Sequence, residues 1–195
     1  MGQNSSHKCK EIKWMPLKGF DASAILGSPF KVILQNGVHA QVCTECGAEQ
    51  GHVLDRPREL IAATAILRAF EPSKLNGAEI KYLRKTLGLK AKELASEISV
   101  TPETLSRFEN NKQPISESAE KLLRAAVCLR HVDEAKGLNV NIAGLTSMKI
   151  PSVWDSSKEL VLDMRIGEPC EFDHTPIGET PCHDLSKWGS ALIAS

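Results

Sequence analysis

Residues 98–112 have the sequence ISVTPETLSRFENNK, and this stretch decides the fold expected for the centre of the chain. Thr101 followed by Pro102 predicts a helix start, because threonine caps exposed amides and proline suits the first helical position. Leu105 and Phe108 would lie on one side of that helix. Its other side would carry a polar stripe at i, i+3, i+4 and i+7, made of Glu103, Ser106, Arg107 and Asn110. A short helix with an apolar back and this front predicts contacts in the major groove of DNA.

Helices are predicted on both sides of this stretch. Asn76 with Glu79 three residues later is the capping box of a first helix, which Gly88 would end. A second helix leads to the turn before Thr101, and Ser116 caps a fourth. The fourth helix is expected to end near residues 136–137 and to bury Ala119, Leu122, Leu123 and Ala126. Four helices with one shared core predict a compact, independently folding unit.

The charge is distributed unevenly along the 195 residues, although the formal net charge is zero. Residues 1–74 contain 9 Lys and Arg against 7 Asp and Glu, and residues 75–130 contain 10 against 7. Residues 131–195 contain 5 against 10. The modest basic excess around the central helices fits a small footprint on a duplex rather than a long wrapped one.

Composition places the chain among soluble globular proteins, with 42% hydrophobic and 25% charged residues. No stretch approaches the roughly 20 apolar residues that a membrane span requires. The N-terminus lacks the apolar core of a secretory signal. These features predict a cytoplasmic protein that does not enter the membrane.

The N-terminal part is predicted to contain a β-hairpin. Asn36 and Gly37 lie between two β-favouring runs within residues 32–42, a pattern typical of a two-residue hairpin turn. Cys43 and Cys46 follow the second run in a Cys-x-x-Cys-Gly sequence. Two thiolates at this spacing converge on one ion, so the segment indicates half of a zinc site.

The other half of that site is less complete. Cys9 is the only upstream cysteine, and Ile12 stands where a second Cys-x-x-Cys would have its partner. The fourth ligand would be His7, although His39 or His52 are alternatives. The zinc hypothesis, in which a closed set of four ligands makes the ion structural, therefore names His7, Cys9, Cys43 and Cys46. The competing interpretations are a small β-hairpin domain with reduced thiols and no metal, and a redox dithiol.

Two further segments flank the central helices. Residues 57–74 are expected to form a connecting helix and linker, with Asp55 as its cap and Pro57 in its first turn. The acidic residues 131–195 form an irregular extension in which residues 159–166 favour a strand. This extension would fold over the helices, pair two protomers or bind a protein partner. The extension contains a second group of candidate metal ligands, Cys170, His174, Cys182 and His183. Their spacing matches no common zinc motif.

Residues 79–85, 89–95 and 105–110 resemble the Xre/Cro-type helix-turn-helix. That resemblance implies a lambda-repressor-like fold in which the third helix contacts bases and the second straddles a phosphate backbone. Together with the upstream Cys-x-x-Cys, the order of segments resembles the zinc-ribbon plus helix-turn-helix antitoxins and regulators of the MqsA/YgiT type. Residues 38–46 are similar to that family's second knuckle, and residues 106–109 to its recognition helix.

The resemblance assigns roles to individual residues, with some departures. The family's recognition arginine falls on Arg107, which would donate two hydrogen bonds to guanine O6 and N7. Glu103 stands where the family has asparagine, and it would accept from cytosine N4 instead. The usual polar start of the second helix is replaced, leaving Lys90 and Lys92 for phosphates. Ser99 stands where the family's turn has glycine, so a different operator sequence is expected.

The predicted fold is mainly α with a small β N-terminal part (α+β). It comprises a β-hairpin zinc-ribbon-like domain (1–56), a connecting helix and linker (57–74), a four- to five-helix DNA-binding domain (75–130) and an irregular extension (131–195). The candidate DNA contacts are Lys90, Lys92, Thr101, Glu103, Thr104, Ser106, Arg107, Asn110 and Lys112.

These observations predict a sequence-specific regulator of transcription that binds a double-stranded operator as a homodimer. The family resemblance adds autorepression, and it adds a role as antitoxin that binds a toxin through residues 1–56. The alternative is a zinc-stabilised adaptor that binds protein and not DNA. No nucleophile and base pair, phosphate loop or paired carboxylates indicate an enzyme.

Overall fold

The computed structural model describes residues 11–135, 138, 142–152 and 161–164. The six strands of this part are β1 (Ile12–Leu17), β2 (Phe20–Asp21), β3 (Lys31–Leu34), β4 (Val38–Cys43), β5 (Glu49–Leu54) and β6 (Val161–Met164). Its seven helices are α1 (Ser23–Leu26), α2 (Pro57–Phe70), α3 (Gly77–Thr86), α4 (Ala91–Glu97), α5 (Pro102–Glu109), α6 (Glu117–His131) and α7 (Ala143–Ser147). None of the helices in these ranges is long and apolar enough to cross a membrane.

The strands form two three-stranded sheets, with orders β1-β4-β5 and β2-β3-β6. The predicted hairpin between β3 and β4 is wrong, because the two strands lie in different sheets. Asn36 and Gly37 instead form a corner, with Gly37 at φ 76°. Both edges of β3 and both edges of β4 are taken by other strands. The turn residues therefore indicated a change of direction correctly, but they did not determine the pairing partner.

The antiparallel hairpin of this region lies one strand later, between β4 and β5. Residues 44–48 form its turn, so the Cys-x-x-Cys sequence spans the end of β4 and the turn itself. β1 pairs with the other edge of β4, and Ile12 is aligned with Cys43. The cysteines are thus held by a three-stranded antiparallel sheet.

Part of the C-terminal extension returns to the N-terminal part of the chain. β6 pairs in parallel with β3, which confirms the strand predicted within residues 159–166. The amide of Gln35 donates to the carbonyl oxygen of Met164 at 2.9 Å. Met164 is buried and accepts a hydrogen bond from Thr64 Oγ1 at 3.4 Å. The start and the end of the described chain therefore share one core.

Helix α2 begins at Pro57 as predicted, but Asp55 is not its cap. Arg56 occupies the cap position with φ 48° and without a capping side-chain hydrogen bond. The carboxylate of Asp55 lies 3.4 Å from His39 Nδ1 instead. α2 packs along α6 and buries most of its residues, so it forms part of the helical core.

Helices α3 to α6 follow the order predicted from the sequence. Asn76 and Glu79 form the capping box, with hydrogen bonds of 3.0 and 2.8 Å between side chain and backbone. Gly88 has φ 71° just after α3. Ser116 caps α6 by accepting from the amide of Ala119 at 3.4 Å. Local capping chemistry fixed these boundaries.

The last of these helices differs from expectation in two ways. It ends at His131, before residues 136–137, which lie outside the described residues. Leu122 was expected to be buried but is 45% exposed, whereas Leu123 is fully buried. α2 lies along the opposite face of α6, so the face that contains Leu122 remains on the surface of the described chain.

Candidate nucleic-acid interface

The apolar back of α5 is anchored in the core. Leu105 and Phe108 are 0% and 2% exposed, as their spacing predicted. Thr101 caps the helix by accepting from the amide of Thr104 at 3.2 Å, and the two threonine hydroxyls lie 3.0 Å apart. Pro102 occupies the first helical turn. The helix is therefore fixed at its start and along its buried side before any ligand binds.

The polar front of α5 is exposed to solvent, as predicted. A shallow concave surface lies along it, lined by Pro102, Glu103, Ser106, Arg107 and Lys112. The structure therefore brings Lys112, which follows the helix, next to the helical stripe. We call Glu103, Ser106, Arg107 and Lys112 the α5 surface. Guanidinium, carboxylate, hydroxyl and ammonium groups on one projecting helix are the types that hydrogen-bond to base edges and phosphates.

Glu103 carries a carboxyl group at the start of this helix, and its surroundings favour the ionised form. Hydrogen bonds from its own backbone amide and from the Thr101 hydroxyl lower the pKa of its carboxyl, and Arg107 one turn later acts in the same direction. The carboxylate is therefore ionised at neutral pH. An ionised carboxylate accepts from the amino group of cytosine and is repelled by phosphate, so it favours particular bases rather than general DNA binding.

Asn110 was predicted to complete the stripe, but it lies at the C-terminal cap, just beyond α5. Its side-chain amide donates to the carbonyl oxygen of Ser106 at 2.7 Å. The same carbonyl oxygen also accepts from the backbone amide of Asn110 at 3.2 Å, so Asn110 closes the last turn of the helix with both its backbone and its side chain. Asn110 is exposed, but one side of its amide is used to end the helix.

The predicted phosphate contacts at α4 are exposed. Lys90 precedes the helix, and its amide donates to the Glu93 carboxylate at 2.6 Å. The side chains of Lys90 and Lys92 lie on the surface and form no salt bridge within the described ranges. Thr104 is only half-exposed, and its main contacts are with Thr101. Among the predicted residues, the two lysines therefore fit long-range attraction to phosphates, and Thr104 fits a structural role better.

The turn between α4 and α5 contains a strained residue. Ser99 has φ 57°, a left-handed conformation that costs a non-glycine residue about 1–2 kcal/mol. Its neighbour Val100 donates from its amide to the carbonyl oxygen of Ala95 at 2.9 Å, which closes the turn. The sequence places serine where glycine would fit more easily, and the fold tolerates the strain.

A residue pair that the sequence interpretation missed holds the C-terminal end of α5. Arg84 on α3 donates from Nε and Nη2 to the two carboxylate oxygens of Glu109, at 2.6 and 3.1 Å. Its remaining nitrogen donates to the carbonyl oxygen of Leu89 at 3.1 Å. The Glu109 hydrogen bonds raise the pKa of Arg84. The partners are 25 residues apart, so no spacing rule would have paired them.

A second group of charges is buried behind the helices. We call it the buried ion cluster, and its members are Arg68, Lys74, Glu79, Glu120 and Arg124. Arg68 pairs with Glu79 at 2.8 Å, and Glu120 pairs with Lys74 at 2.7 Å and with Arg124 at 2.8 Å. Because these acidic groups are neutralised inside, the surface of residues 75–130 is more basic than the formal charge indicates.

The two cysteines of the predicted metal site lie at the end of β4 and in the following turn. Cys43 is buried and Cys46 is exposed. Gly47 has φ 70°, and its amide donates to the carbonyl oxygen of Cys43 at 2.9 Å. Within the described residues, no group of three or more His, Cys, Asp or Glu could hold a metal. The other predicted ligands and the second candidate cluster lie outside those residues, namely His7, Cys9, Cys170, His174, Cys182 and His183.

Residues 80–125 match the family model described as helix-turn-helix (HTH_3). The match begins in α3, contains all of α4 and α5, and ends in α6. This segment is a helix-turn-helix. Such domains bind double-stranded DNA in transcription regulators, so the coarse functional prediction is confirmed for this part of the chain. No curated protein and no solved structure gives a significant match to the chain.

Proposed function

We propose that the protein is a repressor that recognises a specific DNA operator through α5. The observation that carries this proposal is the contrast between the two sides of that helix. Leu105 and Phe108 are fully buried, and Arg84 holds the C-terminal end through Glu109. The α5 surface is left exposed on this rigid support. A helix held in this way presents side chains at fixed positions to the major groove.

In this proposal each exposed group has a distinct task. Arg107 donates to O6 and N7 of guanine, and Glu103 accepts from N4 of cytosine. Ser106 lies between them in sequence and contributes a hydroxyl that either donates or accepts. Lys90, Lys92 and Lys112 neutralise phosphates, which adds affinity for any duplex and makes it depend on salt. Specificity thus resides in α5, and general affinity in the lysines around it.

A homodimer is the expected binding form, because helix-turn-helix proteins commonly contact two half-sites with two-fold symmetry. The exposed side of α6 supports this proposal. Leu122, Leu129 and Val132 are 45%, 64% and 37% exposed and follow one another at helical spacing. Sedimentation of the protein with duplexes containing one or two half-sites tests it. Two protomers that bind the two-half-site duplex cooperatively are expected, and Leu129→Glu should abolish the cooperativity.

The test of the whole proposal is selection from a random duplex pool followed by sequencing. A palindromic consensus is expected, with affinity that falls steeply as salt increases. Glu103→Asn is the informative variant, since it should change the selected base at one position of each half-site from cytosine to adenine. If no consensus emerges and binding does not depend on salt, the protein is instead an adaptor that binds other proteins.

Autorepression and the antitoxin role are extensions of this proposal. The sheet β1-β4-β5 supports a protein partner, because Ile12, Trp14 and Val53 lie on one face of it and are each about half exposed. A toxin would bind this face within residues 1–56. Binding to the duplex upstream of its own gene, and growth rescue when co-expressed with the product of the adjacent gene, are the expected results. Trp14→Ala should weaken rescue while leaving operator binding unchanged.

A structural zinc ion belongs to the same proposal. The turn at Cys43 and Cys46 supplies two thiolates, and Thr44 donates from its amide to the carbonyl oxygen of Glu11 at 3.2 Å. Cys9, which precedes Glu11 by two residues in the sequence, would supply a further thiolate. Stoichiometric zinc in the purified protein, lost in the Cys43→Ser/Cys46→Ser double variant, is the expected result. Absence of zinc from the unaltered protein would exclude the site.

A further inference from the structure

The C-terminal end of α5 is joined to the N-terminal end of α3 by a contact that the sequence did not predict. Asn111 lies two residues after α5 and has φ 55°. Its amide donates to the carbonyl oxygen of Phe108 at 3.1 Å, and its side-chain Oδ1 accepts from the amide of Gly77 at 2.7 Å. Gly77 is the first residue of α3. One side chain therefore connects the ends of two helices.

The two helix ends lie very close together. A Cβ atom at Gly77 would be 2.6 Å from the carbonyl oxygen of Phe108 and 2.5 Å from that of Glu109. Side chains essentially never approach backbone atoms this closely, so any larger residue at Gly77 would force α5 to move. The first amides of one helix and the last carbonyls of another lack partners within their own helices. Their dipoles also attract each other in this arrangement.

This contact and the Arg84–Glu109 pair hold the C-terminal end of α5 to two different points of α3. Arg84 binds the side chain of Glu109 from the C-terminal half of α3, while Asn111 binds the N-terminus of the same helix. Two separate attachments to one helix restrict both the tilt of α5 and its rotation about its own axis. Rotation decides which side chains face the bases, and a base contact requires hydrogen bonds of about 2.7–3.2 Å.

We propose that Asn111 is a positioning residue that determines the base specificity of α5 by docking its end on Gly77. This inference rests on the proposed function. Asn111 adds no positive charge and contributes no attraction to DNA in general. Its loss should therefore weaken binding to the selected operator but not to unrelated duplexes. The ratio of the two dissociation constants is the quantity that separates positioning from general affinity.

The test uses the full chain and measures binding to the selected duplex and to a scrambled duplex at one salt concentration. Asn111→Gly retains the left-handed backbone but removes the oxygen, and it should reduce the ratio about threefold to tenfold, as expected for one lost hydrogen bond. Asn111→Asp retains an acceptor for the Gly77 amide. Its added charge weakens both duplexes alike, so the ratio should remain within about twofold of the unaltered protein.

Gly77→Ala should reduce the ratio of the two dissociation constants further, by about tenfold. This is the effect expected from the loss of one base contact. Thr86→Ala is the matched control, because it removes a 2.8 Å hydrogen bond to the Leu83 carbonyl oxygen at the other end of α3. It should lower the unfolding temperature without changing the ratio. If Asn111→Gly leaves the ratio unchanged, or if Asn111→Asp reduces it as much as Asn111→Gly does, the positioning role is overturned. An unaltered protein that binds both duplexes equally would instead refute the proposed function.

Discussion

The buried ion cluster and the α5 surface contain the same kinds of residues in the same group of helices, but they differ in what those residues contact. Arg124 is completely buried and donates to Glu120 at 2.8 Å and to the carbonyl oxygens of Ala69 and Ser73 at 2.7 and 2.6 Å. Arg107 is exposed and forms no salt bridge among the described residues. Both terminal nitrogens of the first arginine are satisfied within the fold, and the second arginine is available to a ligand.

The difference shows how the same residue types support the fold in one place and are available to a ligand in another. Acidic groups that would repel DNA are paired away from the α5 surface, as with Glu79 on Arg68 and Glu120 on Arg124. The Arg68–Glu79 pair joins α2 to α3, and Arg124 joins α6 to α2 through the carbonyl oxygen of Ala69. Because a buried charge without its partner costs several kcal/mol, we expect substitutions in the cluster to change stability and substitutions on the surface to change binding.

The largest expected effect is the loss of Arg124. Arg124→Met would leave the Glu120 carboxylate and several backbone carbonyls without this donor, and we expect the free energy of unfolding to fall by about 3–5 kcal/mol. Urea titration measures it through the midpoint. Lys121→Met is the control, since its pair with Glu117 is partly exposed and should contribute less than about 0.5 kcal/mol. A loss below about 1 kcal/mol for Arg124→Met would mean that the buried cluster adds little to stability.

Arg107→Ala should weaken DNA binding and leave stability nearly unchanged, the opposite of what is expected for Arg124→Met. We expect operator binding to weaken by about 1–3 kcal/mol and discrimination at one base pair to decrease. The free energy of unfolding should change by less than about 0.5 kcal/mol, because the side chain is exposed. Titration of labelled duplexes with single base changes measures the first effect. Arg130→Ala removes one exposed positive charge from α6 and serves as the control for charge alone.

Lys92→Ala should produce a smaller loss that is the same for every sequence. Removal of one phosphate contact is expected to reduce the slope of log affinity against log salt concentration by about 1. The ratio of specific to nonspecific binding should stay constant. Binding measured at four or more salt concentrations tests this expectation. A preferential loss on the operator would assign Lys92 to base recognition.

The smallest effect is expected in the turn before α5. Ser99→Gly should raise the free energy of unfolding by about 0.5 kcal/mol, since relief of left-handed strain exceeds the added flexibility of glycine. Gly88→Ser is the reciprocal control, because Gly88 has φ 71° and open space where its Cβ would lie. It should lose stability by a comparable amount. If Ser99→Gly is destabilising instead, the serine side chain makes a compensating contribution.

The helix-turn-helix was predictable from the sequence because its signals are local. The capping box at Asn76 and Glu79, the threonine and proline at the start of α5, and the buried positions of Leu105 and Phe108 all involve residues within a few positions of each other. Each is determined by the conformational preference of a short segment. The polar stripe on α5 followed from the helical period alone, apart from Asn110 at the cap.

The β part was predicted less well because sheet pairing joins distant residues. The Asn36-Gly37 turn was identified correctly as a turn, but β3 pairs with β6, whose residues lie about 130 positions later. No property of the turn specifies such a partner. The same reason explains why Leu122 was misassigned, since the packing of other helices, chiefly α2, determines which side of α6 is covered.

The sequence by itself determined where the helices of the helix-turn-helix segment begin, and which side chains of α5 face outward. Only the tertiary structure decided which charged residues are removed from the surface and which helix ends hold α5 in place. Arg84 meets Glu109, Asn111 meets Gly77, and Arg124 meets the end of α2 across 25, 34 and 55 positions. Helical periodicity acts within a few residues, whereas buried ion pairs and helix-end contacts depend on how complete helices pack.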